Sequence, residues 1–257
     1  MLAEERRTRL LEALQATGTQ STEQLAQRLR VSIETIRRDL LLLDQQGALR
    51  RVHGGATIHL GSRGEEASFA ERTAESGEAK QRIAELAVTL VHPGQTVAFD
   101  VGTTVHAVAR ALPRTFHGTV VTCSLLVAAE LADRSAITVL LSGGRVRGGD
   151  LALSNADTVA FFRDVHPDVA FLGSGGVSAA AGVTDYHPDE IATRRVIIDN
   201  ATAAYVLADA AKLDTVAAHR VCGVDAVTAI LTDRRPRRAV EAAMKRAGGT
   251  LLSADSH

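Results

Sequence analysis

Residues 31–40 read Val-Ser-Ile-Glu-Thr-Ile-Arg-Arg-Asp-Leu, and this stretch decides how the first part of the chain is interpreted. Ile36, Leu40 and Leu43 recur at i, i+4 and i+7, so they share one side of a helix with 3.6 residues per turn. The spacing predicts an amphipathic helix over residues 32–46 whose apolar side packs on a core.

The other side of this helix is charged. Glu34, Arg37 and Arg38 fall away from the apolar stripe, and Ser32 is suited to cap the first turn. A helix of about a dozen residues is roughly 18 Å long and fits the major groove of B-DNA. The two arginines alone are more typical of a solvated face, and the neighbouring segments favour a recognition helix.

The preceding residues predict the rest of a helix-turn-helix. Residues 6–16 form an amphipathic pattern that ends near Gly18. Ser21 and Gln24 have the spacing of a capping box at the start of a second, short helix. A short helix, a tight turn and a basic helix together make this DNA-binding motif.

A small two-stranded wing is expected after the recognition helix. Leu49 and Val52 flank two arginines, and Gly54-Gly55 is a hairpin signal. We expect the wing to meet phosphates or the minor groove. The residues expected at DNA are Ser21, Ser32, Ile33, Glu34, Thr35, Arg37, Arg38, Arg50, Arg51, His53, Gly54 and Gly55.

Composition limits the class of protein. Residues 1–59 hold nine Arg and seven acidic residues, a formal charge of +2, and the remainder has twenty basic and twenty-three acidic residues, a charge of −3. The chain has no apolar run of membrane length and a charged start, so we expect a cytoplasmic protein without a membrane partner. Cys123 and Cys222 lack metal-site spacing, so no metal or cofactor is expected.

The expected domains are 1–58 and 76–257, joined by a linker at 59–75.

The larger domain alternates strand and helix. Apolar β-branched runs near residues 96–99, 119–122, 137–141, 169–172, 203–207 and 229–231 are separated by helical patterns. This alternation predicts an α/β domain with a doubly wound, mostly parallel sheet covered on both faces. Ligands of such folds bind beyond the carboxyl ends of the strands.

Small polar residues follow several of these strands. Gly102, Thr103 and Thr104 open a helix, where backbone amides suit an anion such as phosphate. Single motifs of this kind are often only turn geometry, and their recurrence at four strand ends favours a site. The residues expected to hold an effector are Asp100, Gly102, Thr103, Thr104, Thr122, Cys123, Ser124, Gly143, Gly144, Arg147, Gly175, Glu190 and Lys212.

Two of these positions leave alternatives open. Lys212 is one of only three lysines, and it suits a phosphate contact, a salt bridge or plain solvent exposure. Glu190 and Arg194 are four residues apart, which is the spacing of an ordinary surface pair on a helix.

Both halves resemble the DeoR family of bacterial transcription regulators. The likeness rests on the Ser21–Ala26 run, Thr35-Ile-Arg-Arg-Asp-Leu40, Arg51-x-His-Gly-Gly55, Asp100-x-Gly-Thr-Thr104, Thr122-x-Ser124, residues 173–176 and Asp209-x-x-Lys212. The resemblance implies a repressor of a carbohydrate operon with a sensor domain similar to ribose-5-phosphate isomerases. It also implies a phosphorylated sugar as the effector and double-stranded operator DNA as the partner.

The chain departs from the family pattern at Cys123, Ala210, Ala211 and Leu213. These changes remove hydroxyl and amide groups, so they bear on which sugar hydroxyls are paired. We expect a homodimer or homotetramer, because a small basic module needs a second copy to hold DNA firmly.

Two other functions fit the sequence less well. One is a sugar-phosphate isomerase with an appended docking module, whose base would be Asp100, Asp185 or Glu190. The other is a protein-docking module, which would bind with little dependence on salt. We expect a regulator without catalytic residues.

Overall fold

The computed structural model describes residues 3–17, 19–45, 49–52, 54–57 and 66–256. The chain divides into two compact units, residues 1–65 and 66–257.

The first unit is a helix-turn-helix with a wing. Its elements are α1 (Ala3–Thr17), β1 (Thr19–Ser21), α2 (Thr22–Leu29), α3 (Ile33–Gln45), β2 (Arg50–Val52) and β3 (Gly55–Thr57). Leu10, Leu14, Leu25, Ile36 and Leu40 form its buried core. The apolar stripe expected on α3 is therefore the stripe that is buried.

The wing has one strand more than the sequence predicted. β1 pairs with β3 and β3 pairs with β2, both antiparallel, in the order β1-β3-β2. A Cβ on Gly55 would lie 2.2 Å from the carbonyl oxygen of Gln20. This glycine is required because β1 crosses so close to it, whereas the sequence suggested that it served approach to DNA.

The second unit carries the large sheet. Its helices are α4 (Phe69–Ala74), α5 (Gly77–Val88), α6 (Thr103–Ala111), α7 (Leu125–Leu131), α8 (Ala156–Arg163), α9 (Pro188–Asn200) and α10 (Arg238–Arg246). Its strands are β4 (Thr96–Phe99), β5 (Gly118–Thr122), β6 (Ile137–Leu141), β7 (Arg145–Arg147), β8 (Ala152–Ser154), β9 (Val169–Leu172), β10 (Gly176–Ser178), β11 (Gly182–Asp185), β12 (Ala203–Leu207), β13 (His219–Cys222), β14 (Ala229–Thr232) and β15 (Leu251–Ser253).

Seven of these strands form one sheet in the order β15-β14-β12-β9-β4-β5-β6, and every neighbouring pair is parallel. Alternate strand residues enter different cores. Phe99 packs with Ile83 of α5 and Val105 of α6, whereas Ala98 packs with Phe162 of α8 and Ile197 of α9. Helices thus cover both faces, and the doubly wound parallel α/β fold is confirmed.

Short antiparallel pieces complete the unit. β7 pairs with β8, and β10, β11 and β13 form a three-stranded sheet. The sequence did not predict these strands, and it also missed β15. The helix α4 lies within the segment that the sequence assigned to a linker. No helix in the described part of the chain is long and apolar enough to cross a membrane.

Candidate functional site

The charged side of α3 is open to solvent. The side chains of Arg37 and Arg38 are 60% and 81% exposed, and both lie near Glu34, at 3.8 and 3.9 Å. Ion pairs this exposed are weak and easily exchanged for another partner. Two guanidinium groups are therefore presented outward, as a groove-binding helix requires.

The start of α3 is fixed by its own side chains. The amide of Thr35 donates to Ser32 Oγ at 3.2 Å, which confirms Ser32 as the capping residue. Ile33 is 40% exposed at the first helical position, where an apolar side chain suits a thymine methyl group. The middle of α3 is tied to α1, because Asp39 accepts from Arg6 Nε at 2.5 Å.

The other predicted DNA contacts have mixed placements. Ser21 and Gln24 form the expected capping box, so the Ser21 hydroxyl is engaged within the protein. Arg50 and Arg51 belong to β2, Gly54 is an exposed turn residue and Gly55 is buried. His53 lies outside the described residues.

A pocket lies at the carboxyl ends of β4, β9 and β12, three adjacent strands of the sheet. The volume of the pocket is about 340 Å³ when the open space at its mouth is counted. Of the predicted effector residues, Gly102, Thr103, Thr104, Glu190 and Lys212 line it. The helix α6 begins at this pocket, and its N-cap, Gly102, has a φ of +119° and makes no side-chain capping bond.

A buried cation organises the floor of the pocket. Arg194 lies 2.6 Å from Asp100 Oδ2, 2.6 Å from Asp185 Oδ2 and 3.2 Å from Glu190 Oε2. All four side chains are 5% exposed or less. The interpretation of Glu190 and Arg194 as a surface pair is therefore wrong, because α9 is buried along this side.

Burial and pairing move the pKa values of these groups in different directions. Burial opposes ionisation of Asp185, and Arg194 with the Tyr186 amide outweighs it, so the pKa of Asp185 is lowered. Burial raises the pKa of Glu190 despite Arg194 and Arg147. Asp100 is held from a second side, since the Gly173 amide donates to its Oδ2 at 3.0 Å.

A second group of charges forms the outer wall. Arg147 contacts Glu190 Oε1 at 2.8 Å and Asp150 Oδ2 at 3.1 Å. Asp150 also accepts from Arg72, whose other terminal nitrogen lies 3.0 Å from Glu66. The predicted residue Arg147 thus acts on the pocket through Glu190 and Asp150, two residues that line it.

Lys212 differs from the guanidinium groups. Its Nζ donates to the carbonyl oxygen of Ser174, and within the described residues no carboxylate oxygen lies within 4 Å of it. Its charge nevertheless acts on Asp185, whose pKa it helps to lower. A cation in a pocket without its own carboxylate partner is suited to an anionic ligand.

Several predicted residues lie behind or beside the pocket. Thr122 and Ser124 are buried and satisfied internally, with Thr122 Oγ1 donating to Phe99 O at 2.8 Å and Ser124 Oγ accepting from the Val127 amide at 3.3 Å. Cys123 Sγ lies 3.9 Å from Asp100 Oδ1, and burial raises the pKa of this thiol well above its usual value. These residues lie at the carboxyl end of β5 and do not line the pocket.

The glycines predicted beside them serve packing. Thr158 Oγ1, in the first turn of α8, donates to Gly143 O at 2.7 Å, and a Cβ on Gly144 would lie 2.3 Å from Thr158 Oγ1. Gly175 donates its amide to Thr184 O at 2.9 Å. These three glycines lie outside the lining of the pocket.

Sequence reasoning missed six polar lining residues. They are Glu66, Arg72, Asp150, Ser174, Asp185 and Arg194, which line the pocket but were not among the residues expected to hold an effector. Their common signal is weak, because they are polar residues scattered over five segments of the chain, with only Glu66 and Arg72 close in sequence. No cluster of His, Cys, Asp and Glu suited to a metal ion occurs in the described ranges.

Two family models match the chain. A DeoR-like helix-turn-helix domain matches residues 6–59, and a DeoR C-terminal sensor domain matches residues 75–234.

Two relatives are similar to this chain over nearly its whole length. The HTH-type transcriptional repressor GlcR of Bacillus subtilis is 32% identical over 98% of this chain and 96% of its own length. The glycerol-3-phosphate regulon repressor of Escherichia coli is 31% identical over 90% of this chain and 91% of its own. Among solved structures, ribose 5-phosphate isomerase A of Methanocaldococcus jannaschii is similar over 54% of this chain and 55% of its own, with 17% identity and a TM-score of 0.40.

Proposed function

The chain belongs to the DeoR family of DNA-binding transcription regulators, and from that premise we propose that it is a repressor released from its operator by a small phosphorylated metabolite bound in the pocket of the second unit. The observation that carries the proposal is Lys212, a pocket cation with no carboxylate partner among the described residues, on the rim where α6 begins.

The DNA half of the proposal rests on α3. Its buried stripe fixes the helix on the core, and its exposed guanidinium groups at Arg37 and Arg38 face outward. Arginine is suited both to phosphates and to guanine edges in the major groove. A single unit reads one half-site, so we propose that two copies bind half-sites about 34 Å apart, as in other helix-turn-helix dimers.

The effector half rests on the two kinds of group in the pocket. The start of α6 offers backbone amides at the positive end of a helix dipole, and Lys212 adds a full charge. Glu66, Asp150, Asp185 and Glu190 supply carboxylate oxygens that accept hydrogen bonds. A ligand with one phosphate and several hydroxyls matches this division, and the glycerol-3-phosphate repressor named above is a relative whose regulon concerns such a compound.

The coupling between the two halves follows from linkage. An effector weakens DNA binding only by the factor by which it prefers the DNA-free state. We propose release as the direction, since the relatives GlcR and the glycerol-3-phosphate regulon protein are named repressors.

The isomerase alternative is not favoured. Both family models and the named relatives are regulators. The carboxylates considered as a catalytic base are also engaged, because Asp100, Asp185 and Glu190 all lie against Arg194.

The effector site is tested by thermal-shift titration of the full chain with inorganic phosphate, glycerol 3-phosphate and a panel of hexose and pentose phosphates. We expect one or more sugar phosphates to raise the melting temperature of the second unit. Lys212→Gln is expected to abolish that shift, whereas Lys245→Gln, an exposed lysine on α10, is expected to keep it. An equal response from both variants contradicts the assignment of Lys212.

A further inference from the structure

Residues 66–74 lie between the two family matches, which end at residue 59 and begin at residue 75. We call this segment the strap. It contains α4, which starts with a capping box in which the Glu71 amide donates to Ser68 Oγ at 3.3 Å and Glu71 Oε2 accepts from the Ser68 amide at 3.0 Å. The strap is the first part of the second unit, so the chain from the DNA-binding unit enters the sensor through it.

Charged side chains fasten the strap to the pocket wall. Arg72 donates to Asp150, its Nη1 lies 3.0 Å from Glu66, and its Nε donates to the carbonyl oxygen of Ala67 at 2.9 Å. Glu66 also contacts His187 Nε2 at 3.0 Å, just before α9. The strap is thereby joined to two separate elements of the sensor.

A buried lysine holds the end of α4. Lys80 is 7% exposed, and its Nζ donates to the carbonyl oxygens of Arg72 and Glu75, the latter at 2.6 Å. Carbonyl groups in the last turn of a helix lack partners within the helix. Burial lowers the pKa of Lys80, and the two carbonyl groups are the partners that stabilise its buried charge.

The strap also forms part of the cavity. Glu66 and Arg72 line the same pocket as Gly102, Thr103 and Lys212. The contacts of Arg72 use each of its nitrogens once, and each terminal guanidinium nitrogen carries a second N–H. Arg72 therefore has donors left for a ligand while its present contacts are kept.

We propose that Arg72 contacts the effector and that the strap transmits binding in the pocket to the chain that leads to the DNA-binding unit. This inference rests on the proposed effector site. An anion at the start of α6 lies in the pocket that Arg72 also lines, so the bound effector ties the strap to the sheet. A released strap lacks that contact and gives a sensor that binds the effector more weakly.

Linkage makes this quantitative. The factor by which strap release weakens effector binding equals the factor by which the effector suppresses strap release. Charge-assisted hydrogen bonds are roughly twice as strong as neutral ones, and a bidentate contact makes two of them. We therefore expect a factor of about 10 to 100, which corresponds to about 1.4 kcal/mol for each tenfold step.

The test is amide hydrogen exchange of the full chain, with and without two probes, inorganic phosphate and glycerol 3-phosphate, each titrated at constant ionic strength. We expect slower exchange in peptides covering 66–76 and in peptides covering 102–108. We further expect Arg72→Gln to weaken binding of the same probe by a factor close to that by which the probe slows exchange in the strap. Arg82→Gln is the control, because this arginine is 54% exposed and its one ion pair among the described residues is with Asp255, at 3.5 Å.

The outcomes separate the two proposals. Protection confined to 102–108, with binding unchanged in Arg72→Gln, overturns the strap inference and leaves the effector site intact. Absence of protection in both regions with both probes overturns the phosphate site and the strap inference with it. Since Arg72→Gln removes contacts that also hold the fold, Arg72→Lys serves as the second variant: it keeps the charge, and we expect it to retain more probe affinity than the glutamine.

Discussion

Replacing Arg194 with glutamine tests how much this buried cation stabilises the floor of the pocket. The change leaves Asp100, Asp185 and Glu190 without the cation they share, in side-chain surroundings that are 5% exposed or less. Removing one partner of a buried ion pair costs about 3–5 kcal/mol, because the remaining charge stays buried without compensation. Glu190 keeps its contact with Arg147, but Asp100 and Asp185 lose the guanidinium that they share, so we expect the upper part of that range.

The size of the second unit converts this free energy into a melting temperature. For domains of 150–250 residues, 1 kcal/mol shifts the midpoint by about 2–4 °C, so a cost of about 4–5 kcal/mol corresponds to an expected loss of about 8–20 °C. Scanning calorimetry of the full chain measures it. Arg82→Gln, which removes an exposed pair, is expected to change stability by about 0–1 kcal/mol.

The pH dependence gives a second readout. In the Arg194→Gln protein the buried carboxylates are relieved by protonation, so its deficit relative to the unaltered chain is expected to shrink as the pH falls. A loss below about 1 kcal/mol, or a deficit that does not change with pH, refutes the view that Arg194 stabilises the buried carboxylates around it.

Three further outcomes follow from individual side chains. The double change Arg37→Ala and Arg38→Ala is expected to reduce the slope of log affinity against log salt concentration by about 0.9 for each phosphate that these side chains neutralise. The slope is measured by fluorescence anisotropy on duplex DNA, and an unchanged slope removes both arginines from the phosphate-binding surface. Gly55→Ala is expected to destabilise the first unit more than Gly54→Ala, because a Cβ on Gly55 lies 2.2 Å from the Gln20 carbonyl oxygen, whereas at Gly54 the cost is the strain of a φ of +80° in open space. Equal melting temperatures contradict this. The pKa of Asp185 is lowered, so its stabilising contribution is present above the ordinary pKa of about 3.9 and is lost as the pH falls. Asp185→Asn is therefore expected to lower the melting temperature at neutral pH and to reduce the fall of the melting temperature with pH on the acid side. An unchanged dependence on the acid side contradicts the shift.

The elements that depend on local periodicity were predictable from the sequence. The stripe of Ile36, Leu40 and Leu43 fixes α3, and continuous apolar runs give the six strands of the parallel sheet that were expected. These signals suffice because burial on one or both faces imposes a period on the residues themselves.

The elements that depend on distant partners were not predictable. β1 has only three residues, too few for a period, and exists because Gly55 lets β3 approach Gln20. The spacing of Glu190 and Arg194 looks like that of a surface pair, and it gives no sign that Arg194 is buried against Asp100, ninety-four residues earlier in the chain.

The pocket shows both situations. Gly102, Thr103 and Thr104 follow a strand and open a helix, so their position was readable. The strap residues Glu66 and Arg72 reach the pocket because Asp150 and His187 attract them, and nothing within residues 59–75 indicates those partners.

The most direct test of the central claim measures release of DNA by an effector. Full-length protein is bound to a labelled DNA fragment from upstream of its own gene and titrated with the sugar phosphates that shift its melting temperature, while anisotropy is recorded. We predict release from the unaltered chain and from Lys245→Gln, and retention of DNA by Lys212→Gln at the same concentrations. Release of all three proteins at equal concentrations contradicts control of α3 through this pocket.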